Sequence, residues 1–376
     1  MLLVLALLLF GSVVYVARAQ EPTAAEPFSL YVSSESGDFV TRIEVGAGGW
    51  RTVKQIPVGV LVTDLDGPHN VAVSVDGRYW YVSIAHGTPF GSVWKYRTGS
   101  DSMIGSVEVG MFPTTIGLSP DGDWAYVPNS DFHGDRGRAN TVSVLYLPDL
   151  LRVLEIPTCD MPHGSRYNHA GTAVYIACMM SDELVEIDPS TLRITRRIPL
   201  GSGTADHVEH GVVPGAARRP GAASSTMPGQ TPDCLPTYVS LSPDDRLLYL
   251  ACSESHEVQV RDARTLDLMR RLPAADGTYN VEPSPDGRWV LATNKKAHSV
   301  GVYSTDRWTE AARIATSRRV PHGIAFSPDG RYAFVSVESV GSDPGAVDAI
   351  DLEALRRVAS LDVPLQPTGI AIWRGR

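Results

Sequence analysis

Three histidines of the chain share one local setting: Pro68-His69-Asn70, Pro162-His163-Gly164 and Pro321-His322-Gly323, each heading a short stretch of alternating character. Imidazole is the side chain best suited to neutral-nitrogen metal ligation and to proton transfer near neutrality. Three converging rings with an open fourth position would suit a transition metal, copper first, and metal-assisted chemistry. The same rings would also serve a polar small molecule or an anion, or simply fill a polar neck and bond neighbouring carbonyls. The choice depends on the elements that carry them.

Those elements are repeats. The stretch Val320–Ser336 reads as two short strands joined by Ser327-Pro328-Asp329-Gly330, and the same phrase recurs seven times from Pro68, Pro113, Pro162, Pro236, Thr278, Pro321 and Pro367. The spacings are 45, 49, 74, 42, 43 and 46 residues. A period in the low forties of short alternating strands marks a β-propeller with one four-stranded blade per repeat. In the turns Pro pre-sets φ, Asp caps and Gly takes φ above zero. Asp76, Asp121, Asp244, Asp286 and Asp329 are therefore turn residues rather than catalytic acids.

A second strand pair follows each first pair: Gly345–Asp351 with Arg356–Asp362, and His298–Ser304 with Glu310–Thr316. The last repeat has only its first strand, Thr368–Trp373, and the N-terminal Phe28–Ser33, Asp38–Glu44 and Arg51–Pro57 lack one. Joining these ends predicts an all-β, seven-bladed propeller of four-stranded antiparallel blades, closed without an open edge. It occupies residues 28–376, after a flexible lead-in at 20–27.

Tyr81-Val82-Ser83, Tyr126-Val127-Pro128-Asn129 and Ser327–Ser336 resemble the repeats of the YVTN family of β-propellers. The similarity covers nearly all of the chain after residue 27. Propellers of that superfamily include surface-layer repeats, the propellers of nitrous-oxide and d1-haem nitrite reductases, and lactonase-like enzymes. The resemblance implies the fold and leaves the activity open. The d1-haem propellers have eight blades, one more than this sequence offers.

In such a ring the first strand, A, lines the channel and strands B, C and D follow outward. If A runs downward, the D-to-A and B-to-C loops share the top face, where the long segments Ala85–Gly91, Ser130–Ala139 and Gly201–Pro232 also fall. The last is a Gly/Ala/Ser/Pro-rich insertion at 201–232, read as a lid or a disordered segment. The residue after each repeat's first position is His69, Thr114, His163, Thr237, Tyr279, His322 and Thr368 in ring order. All seven fall at one height at the channel mouth and form the candidate ligand-binding set. His69, His163 and His322 are the candidate metal ligands within it. Because they belong to blades 1, 3 and 6, the channel's width decides whether they can share an ion.

The four cysteines also fall on top. Cys178 and Cys252 end strand B of adjacent blades, and Cys159 and Cys234 lie just before strand A. This suggests Cys159–Cys178 and Cys234–Cys252 bridges, although four cysteines allow three connectivities. The competing idea is a soft copper(I) site of Cys178, Met161, Met179 and Met180 beside His163. No CxxC, CxxCH, P-loop, dinucleotide glycine motif or serine nucleophile elbow occurs, so no nucleotide cofactor is expected.

Residues 1–16 are almost wholly apolar and Ala17-Arg18-Ala19 follows, which reads as a signal peptide at 1–19 cleaved before Gln20. The missing basic n-region leaves an uncleaved anchor as the alternative. After cleavage no span is expected to cross a membrane. The net charge of −9, without a basic run, argues against a nucleic-acid partner. The expectation is an exported, periplasmic or extracellular propeller that binds a small molecule or a periplasmic protein at its top face, serving a redox system. The alternatives are a copper- or haem-dependent oxidoreductase and a lactonase-like hydrolase.

Overall fold

The computed structural model describes residues 21–60, 64–86, 90–132, 140–201 and 232–375. The predicted signal peptide and nearly all of the 201–232 insertion lie outside them. The strands form seven four-stranded antiparallel sheets, each ordered A-B-C-D outward. Blade 6 consists of Pro321–Phe326, Tyr332–Val337, Gly345–Asp351 and Arg356–Val363. In blade 7 the C-terminal Pro367–Trp373 pairs with the N-terminal Phe28–Ser34, followed by Phe39–Gly46 and Gly49–Pro57. The ring closes as the sequence predicts, and the predicted strand ends differ from these by a residue or two. In blade 2 the ladder of strand A shrinks to Gly117–Leu118 plus a single bridge from Pro113 to Asn129.

The apolar core is divided into seven clusters between blades. Leu30, Val32 and Ile43 of blade 7, for example, pack on Phe334 and Val347 of blade 6. Strands B and C are buried on both faces and so read as continuous apolar runs. The outer D strands alternate, as in Arg193–Pro199, because one face meets water. The bottom turns are scaffold: Ser327 Oγ donates to Asp329 Oδ1 at 2.6 Å and accepts from Tyr332 N at 2.9 Å, with Gly330 at φ +72°.

At the top, every blade repeats a device that sequence reading did not anticipate. The residue before strand A is left-handed in all seven blades: Gly67, Phe112, Met161, Leu235, Gly277, Val320 and Gln366, with φ between +50° and +72°. Five are not glycine, and for β-branched Val320 this conformation is costly, of order 1–3 kcal/mol. Next to it the A–B register shifts, as between Pro68 and Asn70 and between Pro321 and Ile324. Such a bulge re-aims one side chain and frees its carbonyl from the ladder.

Each of the seven freed carbonyls receives a side-chain hydrogen bond from the preceding blade. The carbonyl of His69 accepts from Thr368 Oγ1 (2.6 Å) and Ser33 Oγ (3.1 Å). That of Thr114 accepts from Ser83 Oγ, and that of His163 from Thr114 and Thr115. Thr237 O accepts from His163 Nδ1, Tyr279 O from Thr237 Oγ1, His322 O from Thr293 Oγ1 and Thr368 O from Ser336 Oγ. A belt of hydrogen bonds thus fastens blade to blade at the height of the channel mouth. A Cβ on Gly323 would fall 2.7 Å from the Thr368 carbonyl oxygen, so glycine is required for that close approach.

Two disulfides, Cys159–Cys178 and Cys234–Cys252, tie the approach to strand A to the end of strand B in blades 3 and 4. The described residues contain no free cysteine. The soft copper(I) site is thereby corrected, because the Cys178 sulfur it needs is oxidised and bonded to Cys159. No helix among the described residues is long and apolar enough to cross a membrane.

Candidate functional site at the channel mouth

The kink and bulge turn four of the seven side chains at this position inward. His69, His163, Tyr279 and His322 form a closed circuit of edge-to-face rings, with centroids 6.0, 5.6, 4.7 and 5.5 Å apart in order around it. Tyr238 packs against three of them, 5.2 Å from His163. The three histidines are almost fully buried. Beyond this plug, strands A enclose a cavity of about 370 Å³ lined by Asn70, Tyr238, Asn280 and the Arg166–Glu282 ion pair, among others. None of the four circuit residues lines that cavity.

Thr114, Thr237 and Thr368 do not join the circuit. Their hydroxyls donate to backbone carbonyls of the next blade, and all three side chains are buried. As potential ligand hydroxyls they are already committed, which corrects the expectation of a seven-membered binding ring. A threonine is too short to span to the channel axis and finds its acceptor at the seam.

The imidazoles differ in what holds them. His163 Nδ1 faces the Thr237 carbonyl at 2.9 Å; a carbonyl only accepts, so this nitrogen carries the hydrogen. Its Nε2 then accepts from Tyr279 Oη at 3.0 Å. Both nitrogens are spent. Burial lowers the His163 pKa to about 3, so the ring is neutral.

His69 Nδ1 lies 2.7 Å from Glu35 Oε2, and the other carboxylate oxygen lies 2.8 Å from His86 Nε2. Burial would push the Glu35 carboxyl up, but the two imidazoles outweigh it and hold it well below the usual carboxylate range. The ionised carboxylate takes the Nδ1 hydrogen, leaving His69 Nε2 buried with no hydrogen-bond partner.

His322 has no hydrogen-bond partner at either nitrogen and is 1 % exposed. Burial, and then the positive charge of Lys295, push its pKa well below the usual value, so it too is neutral. Lys295 sits 3.7 Å from the centre of the Tyr279 ring and pairs with Glu338 at 2.7 Å; Glu338 is 4.0 Å from His322 Nε2.

Among the described residues, the one His/Cys/Asp/Glu group with ligand atoms within 4.8 Å of one another is Cys159, Cys178 and Glu183, whose sulfurs form a disulfide. As arranged, the three imidazoles do not surround one ion, and His163 has no nitrogen to give. The donor set does not fit a three-histidine metal centre.

Sequence reasoning missed Glu35, Lys295 and Tyr238. A signal existed: the residue directly after strand B is Glu35, Ala85, Ser130, Met179, Ser253, Lys295 and Glu338 around the ring. That column places charges on blades 5, 6 and 7 only, beside His322 and His69. His298 has a structural place, accepting Val320 N at its Nδ1 (3.2 Å), and His169 pairs with Asp245 in a bottom turn.

No protein-family model matches the chain, and no curated protein matches it. Solved structures do. The periplasmic gluconolactonase PpgL of Pseudomonas aeruginosa is 18 % identical with a TM-score of 0.72, over 92 % of this chain and 99 % of that one. The hydrazine synthase of Kuenenia stuttgartiensis is 21 % identical with a TM-score of 0.62, over 83 % and 91 %. The dihydro-heme d1 dehydrogenase NirN, in complex with DHE, is 16 % identical with a TM-score of 0.58, over 91 % and 74 %. At these identities the likeness establishes the propeller fold that this chain shares with them.

Proposed function

We propose that the chain is an exported β-propeller that binds a small polar molecule at its top face, at His69 and His322. One observation carries this reading: three buried ring nitrogens, His69 Nε2 and both of His322, lack any hydrogen-bond partner. A buried polar group left unpaired costs about 1–3 kcal/mol. A protein that keeps three of them in one small space gains from a ligand that pairs them. His322, being neutral, offers one donor and one acceptor, while His69 offers an acceptor. The matching molecule therefore carries at least one O–H or N–H group and one acceptor atom.

Export is supported by the two disulfides, which persist in oxidising compartments. A related propeller is named a periplasmic enzyme. The lactonase alternative would use the same side chains; an oxidoreductase would need a cofactor held elsewhere than on the three histidines.

The test is thermal stabilisation by a panel of gluconate, glucono-lactone, 4-nitrophenol, copper(II) and zinc(II), on wild type and on His322→Ala. An organic probe that raises the wild-type Tm and loses the effect in the variant is the expected result. Equal responses in both proteins would remove the site from the mouth, and a metal response lost in the variant would restore the metal reading.

A further inference from the structure

Glu35 makes one contact with each of two imidazoles, and the two contacts have different consequences. Oε2 receives the Nδ1 hydrogen of His69 at 2.7 Å, and Oε1 faces His86 Nε2 at 2.8 Å. The carboxylate is therefore fixed in orientation by both of its oxygens. Phe112 covers the assembly, with its ring 5.4 Å from His69 and 5.2 Å from His86. That phenylalanine is held in place by the left-handed backbone at φ +50°. His69 and Glu35 are nearly buried, at 7 % and 9 % side-chain exposure, while His86 reaches 27 %. With Nδ1 on Glu35, the Nε2 of His69 is buried without a hydrogen-bond partner. The His322 ring centre is 5.5 Å from that of His69.

This is the arrangement of a carboxylate-oriented base: the carboxylate fixes the tautomer and stabilises the imidazolium that forms. We propose that His69 is a proton-accepting catalytic residue for the molecule bound at the mouth, with Glu35 its positioning residue. The inference rests on the binding reading above and deepens it by naming the ligand class, a neutral weak acid with a hydroxyl or N–H group. In the step, the ligand's O–H (or N–H) bond breaks, its electron pair stays on the ligand, and an Nε2–H bond forms on His69. The imidazolium charge is countered by Glu35. The ligand anion meets the N–H of neutral His322 and the positive charge of Lys295 near the Tyr279 ring. Reprotonation reverses the step, so no other reactant is needed for proton exchange.

The tautomer is measurable without a ligand. Long-range proton–nitrogen NMR of ¹⁵N-histidine-labelled protein at neutral pH should show His69 protonated at Nδ1 and bare at Nε2. Glu35→Gln, which replaces one acceptor oxygen by an amide donor, should abolish that single tautomer, and His86→Gln, which keeps the carboxylate, should retain it. A bare Nδ1 in wild type, or a Glu35→Gln spectrum unchanged at His69, would overturn the proposal even if ligands bind. The chemical probe is 4-nitrophenol, read by its phenolate absorbance about one pH unit below its own pKa. Wild type and His86→Gln should bind it as phenolate, and Glu35→Gln should lose that band. Binding as the neutral phenol, or an equal band in Glu35→Gln, overturns the base. If 4-nitrophenol binds to none of the proteins, that counts against the binding reading, and the wild-type tautomer then decides this inference alone. The same wild-type measurement decides it if Glu35→Gln does not fold.

Discussion

Seven blades present the same backbone position to the channel mouth and use it in two ways. Blades 1, 3, 5 and 6 place a ring there, and the rings meet one another. Blades 2, 4 and 7 place a threonine there, and each threonine donates across the seam to the next blade. The acceptors of those threonines are the carbonyls of His163, Tyr279 and His69, three of the four ring residues. One set forms the ring circuit at the mouth, and the other holds its backbone in register. The difference shows how a repeat protein makes an asymmetric site from a symmetric frame: the backbone device is kept seven times, and only the side chain changes. It also predicts that the two sets respond oppositely to perturbation.

The largest contrast is in acid. His163 and His322 are buried and neutral, with folded pKa values below the unfolded value near 6.5. The sign follows from linkage: below pH 6.5 the unfolded chain binds protons that the folded ring refuses. Their contribution is complete above about pH 6.5 and is lost as pH falls, for His163 toward about 3. Each imidazole adds a slope of up to about 1.4 kcal/mol per pH unit. Glu35 is also depressed, so its share is present above the unfolded carboxylate value near 4.3 and is lost as pH falls through the lower folded value. Chemical denaturation between pH 7 and 4 should therefore show a loss of several kcal/mol. His163→Gln/His322→Gln should flatten the part between pH 6.5 and 4.5. A double variant with the wild-type slope would locate the acid sensitivity outside these two rings.

Much of this was legible in the sequence, and the part that was not has physical reasons. The blade count, the closure and the common height of His69, His163, Tyr279 and His322 follow from a repeat whose turns need particular residues. The threonines misled because a hydroxyl at the right height says nothing about its direction; the bulge that sets direction leaves no residue signature. The kink before strand A is equally silent. It falls on Phe112, Met161, Leu235, Val320 and Gln366, which no propensity would place at positive φ. Glu35 and Lys295 were overlooked because a lone charge after a strand looks like solvated surface until the column is read around the ring.

A smaller effect separates the threonines from one another. Among the described residues, Thr237 is the only side-chain donor to the Tyr279 carbonyl. Thr368 shares the His69 carbonyl with Ser33, and Thr114 shares the His163 carbonyl with Thr115. Replacing a buried donor by a group of the same shape leaves its acceptor unpaired, at about 1–3 kcal/mol. Thr237→Val should destabilise by that amount, and Thr368→Val and Thr114→Val by less, in urea titrations at pH 7. Equal costs at the three sites would mean that the seam tolerates an empty carbonyl and that the belt does not set stability.

The smallest effect has the opposite sign. At His322, the ring-bearing counterpart of those threonines, both nitrogens are buried without partners, so an apolar replacement removes a penalty instead of creating one. Against that gain stands the edge contact with Tyr279 at 4.7 Å, worth about 0.5–1.5 kcal/mol. His322→Leu should therefore leave the ligand-free protein unchanged or stabilise it by about 1 kcal/mol, while its binding of the organic probes is lost. A residue that weakens the empty fold and strengthens the occupied one is what a binding site requires, and the threonine positions cannot behave in this way. If His322→Leu instead destabilised the free protein as much as Thr237→Val, its nitrogens would be paired by ordered water in the empty mouth. The ring-bearing blades would then fasten the fold just as the threonine blades do.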